Sequence, residues 1–149
     1  MFEVFPRATF VISERDLATT MDSSMRKMGE IYSQSFEKTD PHRIGNDTVD
    51  YWSYELNRYQ QQREALGARI HIVEAPYRQC VGDAPIAREV YALHGMPWTS
   101  VGEEAMLAWE RKNPRHKKGS YDYSLQNYGW SPDRVEQAFG PIAGRWRGY

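Results

Sequence analysis

The sequence has a single cysteine, almost no net charge and no long apolar run. Cys80 stands alone among 149 residues, which excludes an intrachain disulfide and any zinc site built from several cysteines. That usage fits a reducing compartment, and a cytoplasmic location is the expectation. Lysine and arginine number 19 against 20 acidic residues, a net charge of -1. So balanced a chain carries no overall basic field to draw in nucleic acid or an anionic membrane, and any anion site has to be local. The apolar start, Phe2 to Ile12, is broken by Glu3, Pro6 and Arg7 and is too short for a membrane span or a secretory signal. A soluble, unexported chain forming one domain over residues 1–149 is expected, because a domain of this size can bury roughly 68–70% of its unfolded surface.

What is present begins with Ala8 to Glu14, a β-branched and apolar stretch that predicts a central strand buried on both faces of a parallel sheet. It runs into Arg15-Asp16, and Asp16 can cap a helix whose inner stripe is Leu17, Met21, Met25, Met28 and Tyr32. The same helix carries Ser23. A helix start, a guanidinium and a hydroxyl together suit a phosphate. On these residues alone the pattern equally reads as Arg15 pairing with Glu14 or Asp16 on the surface, with Ser23 an ordinary helix residue. The turn-rich stretch Asp40 to Asn46 ends that helix, and Asp47 or Thr48 opens a second one with Val49, Trp52, Leu56 and Tyr59 inward and Gly67 as its stop. A second strand, Arg69 to Glu74, ends at Pro76. So long a crossover implies parallel pairing in a three-layer α/β arrangement. Helices over Ala84 to His94, Val101 to Lys112 and Pro132 to Phe139 complete a helix-rich chain with few strands.

The strongly basic stretch is Arg111, Lys112, Arg115, Lys117 and Lys118, followed by Gly119 and then Tyr121, Tyr123, Tyr128 and Trp130. Lysines supply point charges, a glycine allows close backbone approach to a ligand, and the aromatic rings can stack on a base. The alternative is a solvated loop whose aromatic residues fold back onto the core. Nucleic acid is the weakest reading, since no recognition motif accompanies the patch.

Taken in order, these parts resemble the C-terminal half of the PAPS-dependent sulfotransferase family, in particular its bacterial branch, from about Phe5 to Trp146. A strand ending in Arg-Asp and a helix bearing serine eight residues later are its first marker, here Arg15 and Ser23. The resemblance implies that both grip the 3'-phosphate of 3'-phosphoadenosine 5'-phosphosulfate (PAPS) or of its product PAP. Tyr77, in Ala75-Pro76-Tyr77-Arg78-Gln79-Cys80, stands where the family places a tyrosine beside the adenine, and Asp83-Ala84-Pro85 is similar to its Asp-Pro helix start. Asn113 to Gly119, then Tyr123 to Trp130, is similar to the bacterial tail, with Lys117, Lys118 and Gly119 as the loop closing on the 3'-phosphate. The fold implied is that of the P-loop-NTPase-like sulfotransferases, in partial form.

The resemblance also implies a glycine-rich loop for the 5'-phosphosulfate and a catalytic base, both ahead of the Arg-Asp junction. Gly67 follows a helix, Gly45 has no strand before it, and Gly140 to Gly144 lies near the terminus without a phosphate-binding lysine. The catalytic residues are therefore unassigned and expected before Met1. His42, His71, His94 and His116 have no acid or nucleophile in sequence to pair with, so structural or surface roles are expected. Cys80 is expected to be buried behind a helix, and no metal-ligand spacing occurs. Two functions are expected. One is transfer of sulfonate to a hydroxyl or amine of an unknown small-molecule acceptor once a complementary N-terminal polypeptide completes the enzyme. The other is a non-catalytic module that associates, with a second copy or another chain, through an exposed sheet edge.

Overall fold

A computed structural model describes residues 4–5, 7–80, 85–114 and 124–146. Its elements are β1 (Thr9–Glu14), α1 (Leu17–Ser35), α2 (Pro41–Leu66), β2 (His71–Pro76), α3 (Pro85–Leu93), α4 (Ser100–Lys112) and α5 (Pro132–Phe139). Short 3-10 turns cover Gly67–Arg69, Tyr77–Cys80, Leu125–Tyr128 and Gly140–Trp146. Contacts divide the chain into two compact units, one containing β1, β2, α3 and α4, the other α1, α2, α5 and the turns at 125–128 and 140–146.

In the strand-containing unit β1 and β2 pair in parallel, in register from Thr9 opposite His71 to Glu14 opposite Pro76. The parallel pairing expected from the long crossover is present, inside a helix-rich α/β chain with a partial sheet and flanking helices. Full burial of β1 is not. Val73 and Ala75 of β2 and Glu14 at the end of β1 are buried, whereas Val11 is 46% exposed. Among the described residues the sheet has two strands, so β1 is paired along one edge and its apolar sequence is only partly covered. Around the loop between α3 and α4, Trp98 donates its Nε1–H to Glu103 at 2.9 Å, Arg88 bonds the same carboxylate, and Tyr91 meets the Trp98 ring edge-on at 5.1 Å. These bonds hold the Glu103 carboxyl below its ordinary range, the Trp98 donor first and Arg88 second. The end of α3 is tied to the sheet where His94 Nε2 and Thr9 Oγ1 meet at 2.9 Å.

The helical unit is organised by the inner stripe of α1. Leu17, Met21 and Met25 are buried with Val49 of α2, Leu125, Val135 and Phe139 of α5, and Ile142 and Ala143. The methionines are core residues, as their spacing predicts; Met28 and Tyr32, further along the stripe, are half-buried. α2 starts six or seven residues earlier than the expected opening at Asp47 or Thr48. Asp40 accepts the His42 N–H at 2.9 Å and Pro41 takes the first helical position. Proline costs nothing there, where its missing N–H would have no helical partner anyway, so a stretch that reads as a turn is a capped helix start. Gly67 stops the helix in the left-handed region at φ 50°, its N–H bonded to the Arg63 carbonyl.

Gly45 shows how tightly α2 meets the rest of this unit. A Cβ there would lie 2.5 Å from the Tyr128 carbonyl oxygen and 2.8 Å from Trp130 Cδ1. Replacing glycine by alanine inside a helix ordinarily gains up to about 1 kcal/mol, but a clash with backbone can be relieved only by moving α2 or the 128–130 segment. Gly45→Ala is therefore expected to lower stability by about 1–3 kcal/mol despite the better helix former. Urea denaturation of the two proteins checks this, and a gain in stability would show that the segments are not in register as described.

Candidate nucleotide-phosphate site

Ser13 and Glu14 close β1, and the chain turns through Arg15 into α1. Asp16 is the N-cap, with extended backbone (ψ 139°) and Oδ1 accepting the Thr19 N–H at 2.7 Å. Thr20 donates its hydroxyl to the Asp16 carbonyl at 2.8 Å. The positive end of the helix dipole is thus already met by a carboxylate belonging to the chain. That modifies the expectation of an open anion seat at the helix start: an incoming phosphate would compete with Asp16 there.

What is left for an anion is the flank of the helix. Arg15 and Ser23 are both half-buried, and Ser23 lies seven residues beyond the cap, about 10 Å along the axis. Steps of four, three and four put Asp16, Thr20, Ser23 and Lys27 on one stripe. Lys27 is exposed, and sequence reading passed over it although its spacing from Ser23, one helical turn, is the signal for a neighbour on the same face.

A second group was missed. Asp22, beside Ser23 in sequence, is buried and accepts the backbone N–H of Ser124. Burial raises its carboxyl from the ordinary value of 3.8, opposed by that hydrogen bond and by the Arg26 guanidinium. Tyr128 belongs to the same cluster: burial first, and the Asp22 charge second, push its hydroxyl upward. Arg26 in turn pairs with Glu30 one turn further along α1. The cluster moors the 124–128 turn onto α1 next to Ser23. The repeat of Asp22, Arg26 and Glu30 at four-residue spacing is its trace in the sequence.

Tyr77 opens the 3-10 turn after β2 and is half-buried; it belongs to the strand-containing unit, while Arg15 and Ser23 belong to the helical one. Lys117, Lys118 and Gly119 lie outside the described residues, as do Asp83, Ala84, Arg115, His116, Tyr121 and Tyr123. The other aromatic residues of the tail fold back onto the helical unit. Tyr128 and Trp130 pack against its core, Trp130 donates to Asn46 Oδ1 at 3.1 Å, and the Arg134 guanidinium lies 4.4 Å above its ring. That is the structural reading of these two rings, not the base-stacking one. Cys80 is exposed rather than buried, because the turn after β2 leaves it on the surface with Sγ 3.5 Å from the Ala75 carbonyl oxygen. Among the described residues no cluster of three or more metal-ligating side chains occurs, and no helix is long and apolar enough to cross a membrane.

Comparison with known proteins decides the family. The model of the sulfotransferase family matches residues 1–100, two thirds of the sequence. The chain belongs to the sulfotransferase family. The matched span contains Arg15, Ser23 and Tyr77 and ends before the lysine pair. Its fold is similar to the crystal structure of a sulfotransferase from Mycobacterium avium, with a TM-score of 0.80 at 21% identity. The likeness covers 98% of this sulfotransferase-family chain and 38% of that one. A search of curated proteins gave no match.

Asp22 allows a test of the mooring. Because its folded-state carboxyl titrates above the unfolded value, folding favours the protonated form. That stabilisation is full below the unfolded pKa and is lost as pH rises through the raised folded pKa. Asp22→Asn keeps an acceptor for the Ser124 N–H without the charge, so its stability is expected to equal or exceed the parent's at pH 7, with the difference closing toward acid pH. Asp22→Ala removes the acceptor and is expected to cost about 1–2 kcal/mol. Thermal melts across pH 4–8 (approximate bounds of the carboxylate-to-neutral window) measure both.

Proposed function

We propose that this chain binds the 3'-phosphoadenosine part of PAPS or PAP. Arg15, Ser23, Lys117, Lys118 and Gly119 would hold the 3'-phosphate and Tyr77 would lie beside the adenine. The observation carrying this reading is the β1–Arg15–α1 junction with Ser23 two turns along the helix, in a chain of the sulfotransferase family. Arginine offers a planar fork of donors to phosphate oxygens, and a serine hydroxyl adds a neutral donor. The self-capped helix start favours this side-on grip over one at the helix tip.

The activity proposed for the completed protein is transfer of sulfonate to a hydroxyl or amine. The acceptor oxygen or nitrogen bonds to sulfur as the bond from sulfur to the nucleotide's phosphate oxygen breaks. The acceptor proton passes to a base and PAP leaves. The residues for that step are not assigned in this chain, which spans 38% of the Mycobacterium avium enzyme. A reducing cytoplasm, where the exposed thiol of Cys80 would persist unpaired, is the proposed location.

Calorimetric titration of the chain with PAP tests the binding. Arg15→Ala is expected to weaken PAP by about 10- to 100-fold and Ser23→Ala by several-fold, in proportion to charged and neutral hydrogen bonds. Absence of heat at millimolar PAP would sink the reading for this chain.

Pairing of β1 on one side only, among the described residues, favours one further reading: association with a second copy or with a complementary N-terminal polypeptide through the sheet edge. Val11→Lys is expected to shift a concentration-dependent oligomer toward monomer in sedimentation while leaving PAP affinity unchanged. A chain that is monomeric at every concentration, alone and with added N-terminal polypeptide, would count against it.

A further inference from the structure

α4 spans 13 residues and none of them is buried. A helix of that length is marginal in water by itself and owes its stability to packing. It is fastened at its N-terminal end, where Thr99 Oγ1 accepts the Gly102 N–H at 3.1 Å and Glu103 is bonded by Trp98 and Arg88. The face turned to solvent is apolar where a surface helix is ordinarily polar. Val101 is 75% and Trp109 68% exposed, and Ala105, one turn from each, is exposed between them.

The order of residues on that face selects the occupant. Val101, Ala105, Ala108 and Lys112 follow at steps of four, three and four, the spacing at which two helices mesh along a seam. Glu104 and Arg111, both exposed, lie together on one flank of the seam, two turns and about 10 Å apart along the axis. Neither has an opposite charge three or four residues away on α4 with which to pair. A two-fold axis sets two copies of a helix antiparallel, with the same flank of each facing and the order reversed. Glu104 of each copy then meets Arg111 of the other, so the flank is its own electrostatic complement. The same register places Ala105 against Ala108 at the crossing, where small side chains allow close approach. On the opposite flank it sets the indole of Trp109 over Gly102 of the second copy, where no side chain stands in its way. A parallel pair would face Glu104 and Arg111 toward the Gly102 and Trp109 flank and make no ion pair.

We infer that the exposed face of α4 is a self-association surface, on which a second copy of this chain packs its own α4 antiparallel. This surface is distinct from the sheet edge and does not depend on the nucleotide reading. A single pair of 13-residue helices falls short of the roughly 800 Å² per partner of a standard interface, so the dimer is weak and its population follows concentration.

Sedimentation of the full chain from about 1 µM to about 1 mM tests this, with Val11→Lys run alongside to take the sheet edge out of play. Both proteins are expected to dimerise with a sub-millimolar dissociation constant. Ala105→Arg changes an exposed position, and is expected to keep its circular dichroism and to weaken the dimer by at least about tenfold. Glu104→Arg and Arg111→Glu each set two like-charge pairs across the two-fold axis and are expected to weaken it by about tenfold. An equimolar mixture of these two variants is expected to regain the parent's affinity as a heterodimer, since every altered charge then meets its opposite. A chain that is monomeric up to the highest concentration overturns the inference. So does a dimer that Val11→Lys dissolves and Ala105→Arg leaves intact, which belongs to the sheet edge, and so does a mixture no tighter than the separate variants. Binding to anionic vesicles that Trp109→Ser abolishes, with no dimer in solution, overturns it too by making a membrane surface the occupant.

Discussion

Burial of the inner stripe of α1 is the constraint on which the helical unit depends. Leu17, Met21 and Met25 are the residues against which α2, the 125–128 turn, α5 and the C-terminal 3-10 turn all meet. Methionine suits that position because an unbranched, polarisable side chain can fill an irregular gap among several elements at once. Each apolar side chain fully buried there contributes about 1.5–3 kcal/mol relative to exposure, whereas exposed ion pairs such as Arg43–Asp47 and Arg58–Glu55 are each worth no more than about 1 kcal/mol. The core, not the surface charge, holds the unit together.

The buried stripe also fixes what the other faces of α1 can do. With one side committed to the core, the stripe through Ser23 and Lys27 stays outside it and is where the phosphate is proposed to bind, and the face toward α2 borders a cleft. Asp22 joins the two tasks. It is buried at the margin of the core and holds the Ser124 N–H, so one helix both anchors the tail segment and carries the serine proposed to grip the nucleotide. A buried carboxylate costs solvation and is retained here by a backbone donor and a nearby guanidinium.

Glycine and proline supply the local geometry. Gly45 lets α2 approach the Tyr128–Trp130 backbone to a distance no other residue allows, and Pro41 opens the same helix without disturbing its hydrogen bonds. In the strand-containing unit the joining is polar instead. Glu103 gathers Trp98 and Arg88 around the loop between α3 and α4, and neither helix contains a fully buried residue. Fold-level likeness to a sulfotransferase extends over nearly the whole chain, while the chemistry proposed for it rests on a few side chains, of which Arg15 and Ser23 belong to the start and flank of α1.

Much of this was legible in the sequence because it depends on periodicity and local chemistry. The stripe of Leu17, Met21 and Met25, the Asp16 cap, the Gly67 stop and the parallel pairing implied by a long crossover all come from spacing and from conformational limits that single residues impose. The start of α2 misled for a related reason: Asp-Pro reads as a turn or as a capped helix, and only the packing of residues 42–49 as helix decides between them. Partial exposure of β1, the surface position of Cys80 and the inward packing of Tyr128 and Trp130 were not legible, since each depends on what a distant segment covers. The Asp22–Ser124 bond and the cleft between α1 and α2 belong to the same class. They join residues from separate elements, and burial and contact between such residues are properties of the folded arrangement that no local pattern encodes.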